Sequence, residues 1–163
     1  MNLTIGLAAP ADFELIGGLC VRAYSAGGHL QPGDSYAEVL SNVADRAALA
    51  RVVVARVDDV IAGTVTICEP GSPYAELSSP GELEFRFLAV EPSCWGQGIG
   101  EALVAECELH ARDAGARRMV ICVIDINEGG HRFYQRLHYI RCPERDWSPR
   151  LNIELLCYVK QLT

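Results

Sequence analysis

The stretch that most constrains this chain reads Leu88-Ala89-Val90-Glu91-Pro92-Ser93-Cys94-Trp95-Gly96-Gln97-Gly98-Ile99-Gly100-Glu101. An apolar run reads as a strand ending at Val90, a short loop follows, and a helix opens on three alternating glycines. Gly96, Gly98 and Gly100 leave backbone N–H groups uncovered by side chains. At a helix start those groups point outward where the macrodipole is positive, which suits a pyrophosphate and needs no Lys or Arg. A dinucleotide fingerprint would need glycine at position 101 or 103, and a P-loop would need Gly-Lys-Ser/Thr; Glu101 and Leu103 exclude the first and Gly100-Glu101-Ala102 the second. The alternative is a plain tight turn, but three glycines in five residues exceed what a turn requires.

An anion-binding turn matters here because the chain carries a net charge of −7. That charge argues against binding nucleic acid or anionic membranes, so an anionic cofactor needs a local device of this kind. With 163 residues, half of them apolar, the chain is expected to form one domain, residues 1–163, around one substantial core. No apolar run is long enough to span a bilayer, and residues 1–13 lack the pattern of a signal peptide, so a cytoplasmic protein is expected. Seven cysteines without a C-x-x-C pair are expected to be reduced and to pack as small hydrophobes, with no metal site; Cys94 stands apart in a loop.

Around the turn the pattern predicts strand 3–7, a helix through Leu15, Ile16, Leu19, Val21 and Tyr24, a loop over 25–35, and a helix through Tyr36, Val39, Leu40, Val43 and Ala47. Residues 51–68 read as a hairpin about Asp58-Asp59, 69–81 as a flexible connection, and 83–90 as a strand. A helix after Gly98 stops at Gly115; 119–124 reads as a buried strand, 127–137 as helix, and 151–159 as an alternating strand able to pair at an edge. The order implies an α/β fold with one mixed, mostly antiparallel sheet.

The segment Leu88-Ala89-Val90-Glu91-Pro92, followed by Trp95-Gly96-Gln97-Gly98-Ile99-Gly100, resembles the GNAT superfamily of N-acetyltransferases. Its cofactor motif is Arg/Gln-x-x-Gly-x-Gly/Ala after a strand ending Leu-Ala-Val-x-Pro. Asn127-x-x-Gly130-x-x-Phe133-Tyr134-x-x-Leu137-His138-Tyr139 is similar to the family's downstream Asn-x-x-Ala-x-x-Leu/Phe-Tyr-x-x-x-Gly-Phe. Trp95 replaces the usual Arg or Gln, and His138 the usual glycine, where histidine must take a positive φ at some cost. The resemblance implies about 6–7 strands flanked by about four helices, with acetyl-CoA as co-substrate. It implies that Leu88, Ala89 and Val90 pair with the pantetheine arm, with Trp95, Gly96, Gln97, Gly98, Ile99, Gly100 and Glu101 around the pyrophosphate and Asn127, Gly130 and Phe133 beside it.

Acetyl transfer from a thioester to an amine needs a neutral amine, an oxyanion donor and a proton for the departing thiolate. Tyr134, with an ordinary phenol pKa of about 10 against about 8.5 for a thiol, is the implied acid, or else a packing residue. Glu84 lies six residues before Val90 with the same parity, hence on the same face; it is the candidate water-mediated base, or else a partner of Arg86. The N–H near Ala89 or Val90 is the oxyanion donor. Asn127 caps a helix or touches cofactor, and Gly129-Gly130 suggests a close approach there, with the cofactor as candidate. His29, Asp34, Tyr74, Glu76, Asp146 and Trp147 on loops suit a cationic acceptor with an apolar part. Arg132 and Arg136 face the ribose phosphate or solvent, and His110 and His131 are expected to be solvated. The expected acceptor is a small-molecule or peptide amine, and the chain a monomer or homodimer. The alternative is a non-catalytic domain that senses an acyl-CoA.

Overall fold

The computed structural model describes residues 1–163. Strands β1 (Leu3–Leu7), β2 (Arg51–Val57), β3 (Val60–Cys68), β4 (Glu82–Val90), β5 (Arg118–Ile124), β6 (Ile140–Arg141), β7 (Trp147–Arg150) and β8 (Ile153–Gln161) form one sheet. Its order is β1-β2-β3-β4-β5-β8-β6, with β7 also on β8, and only β4 and β5 run parallel. This is the expected mixed sheet, with eight strands because the tail folds into three. β8 lies between β5 and the β6–β7 pair, so it is an interior strand and not the edge expected for residues 151–159.

Helices α1 (Phe13–Ala26), α2 (Tyr36–Ser41) and α3 (Val43–Leu49) cover one face; α4 (Ile99–Asp113) and α5 (Glu128–Arg136) cover the other. The apolar periodicity over 36–47 is divided by Asn42, whose ψ of 63° breaks the helix and whose side chain accepts from the Asp45 N–H at 3.4 Å, opening α3. Two cores result. Val53 and Ala55 of β2 face Leu103 and Cys107 of α4, while Val52 and Val54 face Ile16 and Leu19 of α1, as the period of two demands. A sheet covered on both faces needs such continuous apolar strands.

Two irregularities of β4 shape the site. Thr64 pairs with Ala89 and Thr66 with Arg86, so Phe87 and Leu88 together oppose the single Val65. This is a β-bulge, and Phe87 takes φ 58°, a sparsely populated conformation for a bulky residue. The extra residue reverses the alternation of side chains. Leu83 and Phe85 face α4 and so do Leu88 and Val90, whereas Phe87 and Ala89 face α1. Glu84, between Leu83 and Phe85, therefore points to the α1 face; the expectation that it shares the face of Val90 fails because counting in twos does not survive a bulge.

The second irregularity is a splay. β4 and β5 pair only at Glu82–Arg118, Leu83–Met119 and Glu84–Val120, and then diverge. Between 85–90 and 121–124 the facing backbone edges have no ladder partner, leaving a gap into which an extended chain with amide groups would fit.

Candidate active site

The gap opens onto the glycine turn. Gly96 and Gly98 have φ of 78° and 82°, and a Cβ on either would meet nothing within 4 Å. The N–H groups of residues 96–101 find no acceptor in the protein, and they stand at the positive end of a helix of 15 residues. A concave row of unpaired donors fits a polyphosphate. Ile99 contributes only its N–H, its side chain being buried under the sheet. Phe133, from α5, lays its ring against Gly100. Trp95 is half-exposed, and its indole Nε1 donates to the Val90 carbonyl at 2.8 Å, one of the acceptors at the end of the gap.

On the far side Asn127 caps α5, its Oδ1 accepting from the Gly130 N–H at 2.8 Å. A Cβ on Gly130 would lie 2.5 Å from Asn127 Nδ2, so the group that approaches this glycine within the protein is the Asn127 amide itself. His29, on the α1–α2 loop, reaches the Asn127 side chain, so the loop crosses toward α5; burial lowers the His29 pKa against the pull of that contact. His138 takes φ 70° beyond α5, as the missing glycine requires.

Tyr134 is buried, its ring packed on Phe133, Tyr139 and Phe85 at centroid distances of 5.0, 5.6 and 6.1 Å. No protein group hydrogen-bonds its hydroxyl. Burial, reinforced by the nearby Cys107 thiol, raises its pKa far above the ordinary phenol value, so the group is a proton donor at neutral pH.

Glu84 is 1% exposed. Both its oxygens accept from the Glu76 N–H at 3.0 Å, and Oε1 also accepts from Leu77 and Ser78, each at 3.0 Å. Arg145 donates to the Leu77 carbonyl at 2.8 Å, Ser79 N–H to Glu82 at 3.0 Å, and Arg86 to the Tyr74 carbonyl at 3.0 Å. The segment 69–81, expected as a flexible connection, is thus pinned by side chains from distant parts of the chain.

The pinned loop holds Glu76 against Arg86, Oε1 to Nε 3.0 Å. Around them stand Tyr36 and Tyr74, whose rings meet Phe87 at 6.5 and 6.1 Å. The guanidinium groups of Arg46 and Arg86 lie 4.4 and 4.5 Å from the centre of the Phe87 ring. Arg46 is itself buried, donating to the Val39 and Leu40 carbonyls at the end of α2. The strained bulge is therefore held by aromatic and cationic contacts on the α1 side. Sequence reasoning placed Arg86 only as an alternative partner of Glu84, whereas it pairs with Glu76, and it missed Arg46 and the bulge, which have no local signal.

Other expected participants have structural partners. His110 contacts Glu69 at 3.0 Å; His131 bridges the Tyr158 hydroxyl and the Asp125 carbonyl at 2.8 and 3.0 Å, so neither is simply solvated. Asp146 pairs with Arg141 at 2.7 Å, and Arg136 lies 5.8 Å from the Phe133 ring. All seven cysteines are free, and no three His, Cys, Asp or Glu side chains are grouped to hold a metal. No helix is long and apolar enough to cross a membrane.

The family model described as acetyltransferase (GNAT) family matches residues 12–139. A GNAT-family protein of Desulfovibrio desulfuricans is 21% identical, with TM-score 0.78, covering 99% of this chain and 100% of its own. PaiA N-acetyltransferase of Thermoplasma acidophilum, solved in complex with coenzyme A, is 14% identical with TM-score 0.74, over 96% of this chain and 98% of its own. YncA of Salmonella typhimurium, solved with acetyl-CoA, is 21% identical with TM-score 0.66, over 99% and 94%. At these identities the likeness is one of fold. No curated protein sequence matches.

Proposed function

Because the chain belongs to the GNAT acetyltransferase family, we propose that residues 1–163 form one domain that transfers the acetyl group of acetyl-CoA to the primary amine of a small molecule or peptide. The observation that carries this reading is the row of unpaired N–H groups at 96–101 opening onto the splay of β4 and β5. Acetyl-CoA supplies the thioester. The N–H groups of residues 96–101 would hold its pyrophosphate, with Phe133 and Asn127 flanking, and the free edges of Leu88, Ala89 and Val90 would pair with its amides. A backbone N–H beside the 87–88 bulge would face the acetyl oxygen, the bulge having removed it from the ladder.

Tyr134 is the proton donor to the departing thiolate. A phenol raised by burial is a weak acid in water, but a thiolate released in the same apolar gap is disfavoured by the same burial, so the transfer runs between similarly desolvated groups. Glu84, with both oxygens engaged by backbone donors, is better suited to anchoring residues 76–78 than to serving as a water-mediated base.

Trp95 favours a second reading, since its indole occupies the Val90 carbonyl: a domain that binds an acyl-CoA without turnover. One pair of experiments separates the two. Calorimetric titration should give micromolar binding of acetyl-CoA, and Tyr134→Phe should lower kcat by about 100-fold or more with binding unchanged. Binding without turnover of any amine would leave the sensing domain, and absence of binding at millimolar ligand would end both readings.

A further inference from the structure

The acceptor side of the gap holds a charge pair that the acetyl-CoA side does not need. Glu76 and Arg86 are each 20% exposed, and their contact uses only Oε1 and Nε. Nη1 of Arg86 is taken by the Tyr74 carbonyl. Glu76 Oε2 and Arg86 Nη2 are not sealed from solvent, and with the Tyr36 phenol beside the guanidinium the carboxylate and the guanidinium each present one head to the gap, side by side. A ligand bearing the opposite charges can replace water there with charge-assisted hydrogen bonds.

The pair stands at the reacting end. Arg86 follows Phe85, whose ring lies 6.1 Å from that of Tyr134, and stands two residues past Glu84, the last residue of β4 to pair with β5, so it lies where the gap opens. On the α1 side the pair is walled by Phe87, Tyr36 and Tyr74, with Tyr24 behind Tyr36 at 6.3 Å between ring centres.

We propose that the acceptor is a zwitterion, a free α-amino acid, whose ammonium docks on Glu76 Oε2 while its carboxylate is held by Arg86 Nη2. This rests on the acetyltransferase reading. A polyamine would bring a cation against Arg86, and an amine lacking a carboxylate would leave the guanidinium unanswered; only a ligand with both charges on neighbouring atoms satisfies the pair. The ammonium gives one proton to Glu76, whose pKa burial raises, and the neutral nitrogen attacks the thioester. The C–N bond forms, the C–S bond breaks, and the thiolate takes the Tyr134 proton. The second proton of the attacking nitrogen passes through solvent to restore Tyr134, and Glu76 releases its own to solvent, so the balance is one amide, one thiol and one proton.

The test is thiol release from acetyl-CoA with the proteinogenic L-amino acids, their carboxamides and spermidine as acceptors. Free amino acids should exceed their carboxamides by about 10- to 100-fold in kcat/KM, the worth of one charged hydrogen bond. Arg86→Gln should erase that preference by raising KM for the acids alone, and Arg86→Lys should restore part of it. The comparison of acid with amide needs only the unmodified protein, so poor folding of a variant does not blunt it. Equal or greater activity on carboxamides or spermidine, or acetyl-CoA binding with no turnover of any amino acid, would overturn the zwitterion assignment while the cofactor reading stands. Failure to bind acetyl-CoA would instead remove the reading on which it rests.

Discussion

The two ends of β4 carry the same backbone device in opposite states. Before the strand, the N–H groups of residues 76–78 converge on a carboxylate that the chain itself supplies, Glu84. After it, the N–H groups of residues 96–101 converge on nothing. A filled nest is architecture, because it fixes a loop at the moment of folding; one the chain does not fill keeps its donors available, on the reading proposed above for a pyrophosphate. The difference lies in whether a buried anion within the chain can reach the donors.

The sharpest way to break the comparison is Glu84→Ala. If the carboxylate is the keystone of residues 76–78, the variant leaves buried N–H groups without an acceptor and loses about 3 kcal/mol or more, read from the denaturant midpoint. A fall in kcat with an unmoved midpoint would make Glu84 a catalytic base and erase the distinction between the two nests. The empty nest should answer differently. Gly98→Val places a side chain at a positive φ and over the donors, which should weaken acetyl-CoA by about 10- to 100-fold while costing about 1–3 kcal/mol of stability. Unchanged affinity would mean that the turn is no cradle.

Acid offers a gentler probe of the filled end. Burial pushes the Glu82 carboxyl up, but Arg145, the Ser79 N–H and Arg118 outweigh it and hold the folded pKa below the ordinary 4.5. Its contribution is therefore present above that value and lost as pH falls through the depressed one. Thermal midpoints should drop in that acid range, and Glu82→Gln should flatten the dependence. The smallest effect belongs to Trp95→Phe, which frees the Val90 carbonyl and should tighten acetyl-CoA about threefold, a fraction of one hydrogen bond. Weaker binding would make the indole part of the cradle and not its competitor.

What the sequence disclosed follows the same division. The glycine turn was legible because its property is local: a missing Cβ and a helix start can be read from consecutive letters. The cap at Asn127 was legible for a similar reason, and so were the sheet's mixed character and the order of its elements, whereas Tyr134 was singled out through the family resemblance and its role stays a proposal. The bulge was not. It exists because Thr64 and Thr66 select their partners on another strand, and nothing in Phe85-Arg86-Phe87-Leu88 announces which residue will be surplus. The loop 69–81 misled for the opposite reason, since prolines and glycines describe how a backbone bends and say nothing of the carboxylate that will later hold it. Gly130 misled too, its vacancy being filled by a side chain three residues away.

The surplus residue at Phe87-Leu88 also governs how this chain tolerates changes of length. Deleting Phe87 would restore an unbroken ladder with β3 and leave Leu88, Ala89 and Val90 on their present faces, because Thr66 would still pair with Arg86 and Thr64 with Ala89, with Leu88 opposite Val65; what would vanish is the break in the ladder beside the gap. A lineage can therefore shed the surplus residue without inverting the strand, whereas a single deletion in the regular ladder on either side exchanges every face beyond it. At the bulge, residue count sets the shape of the backbone edge beside the gap and leaves the packing of the side chains beyond it alone.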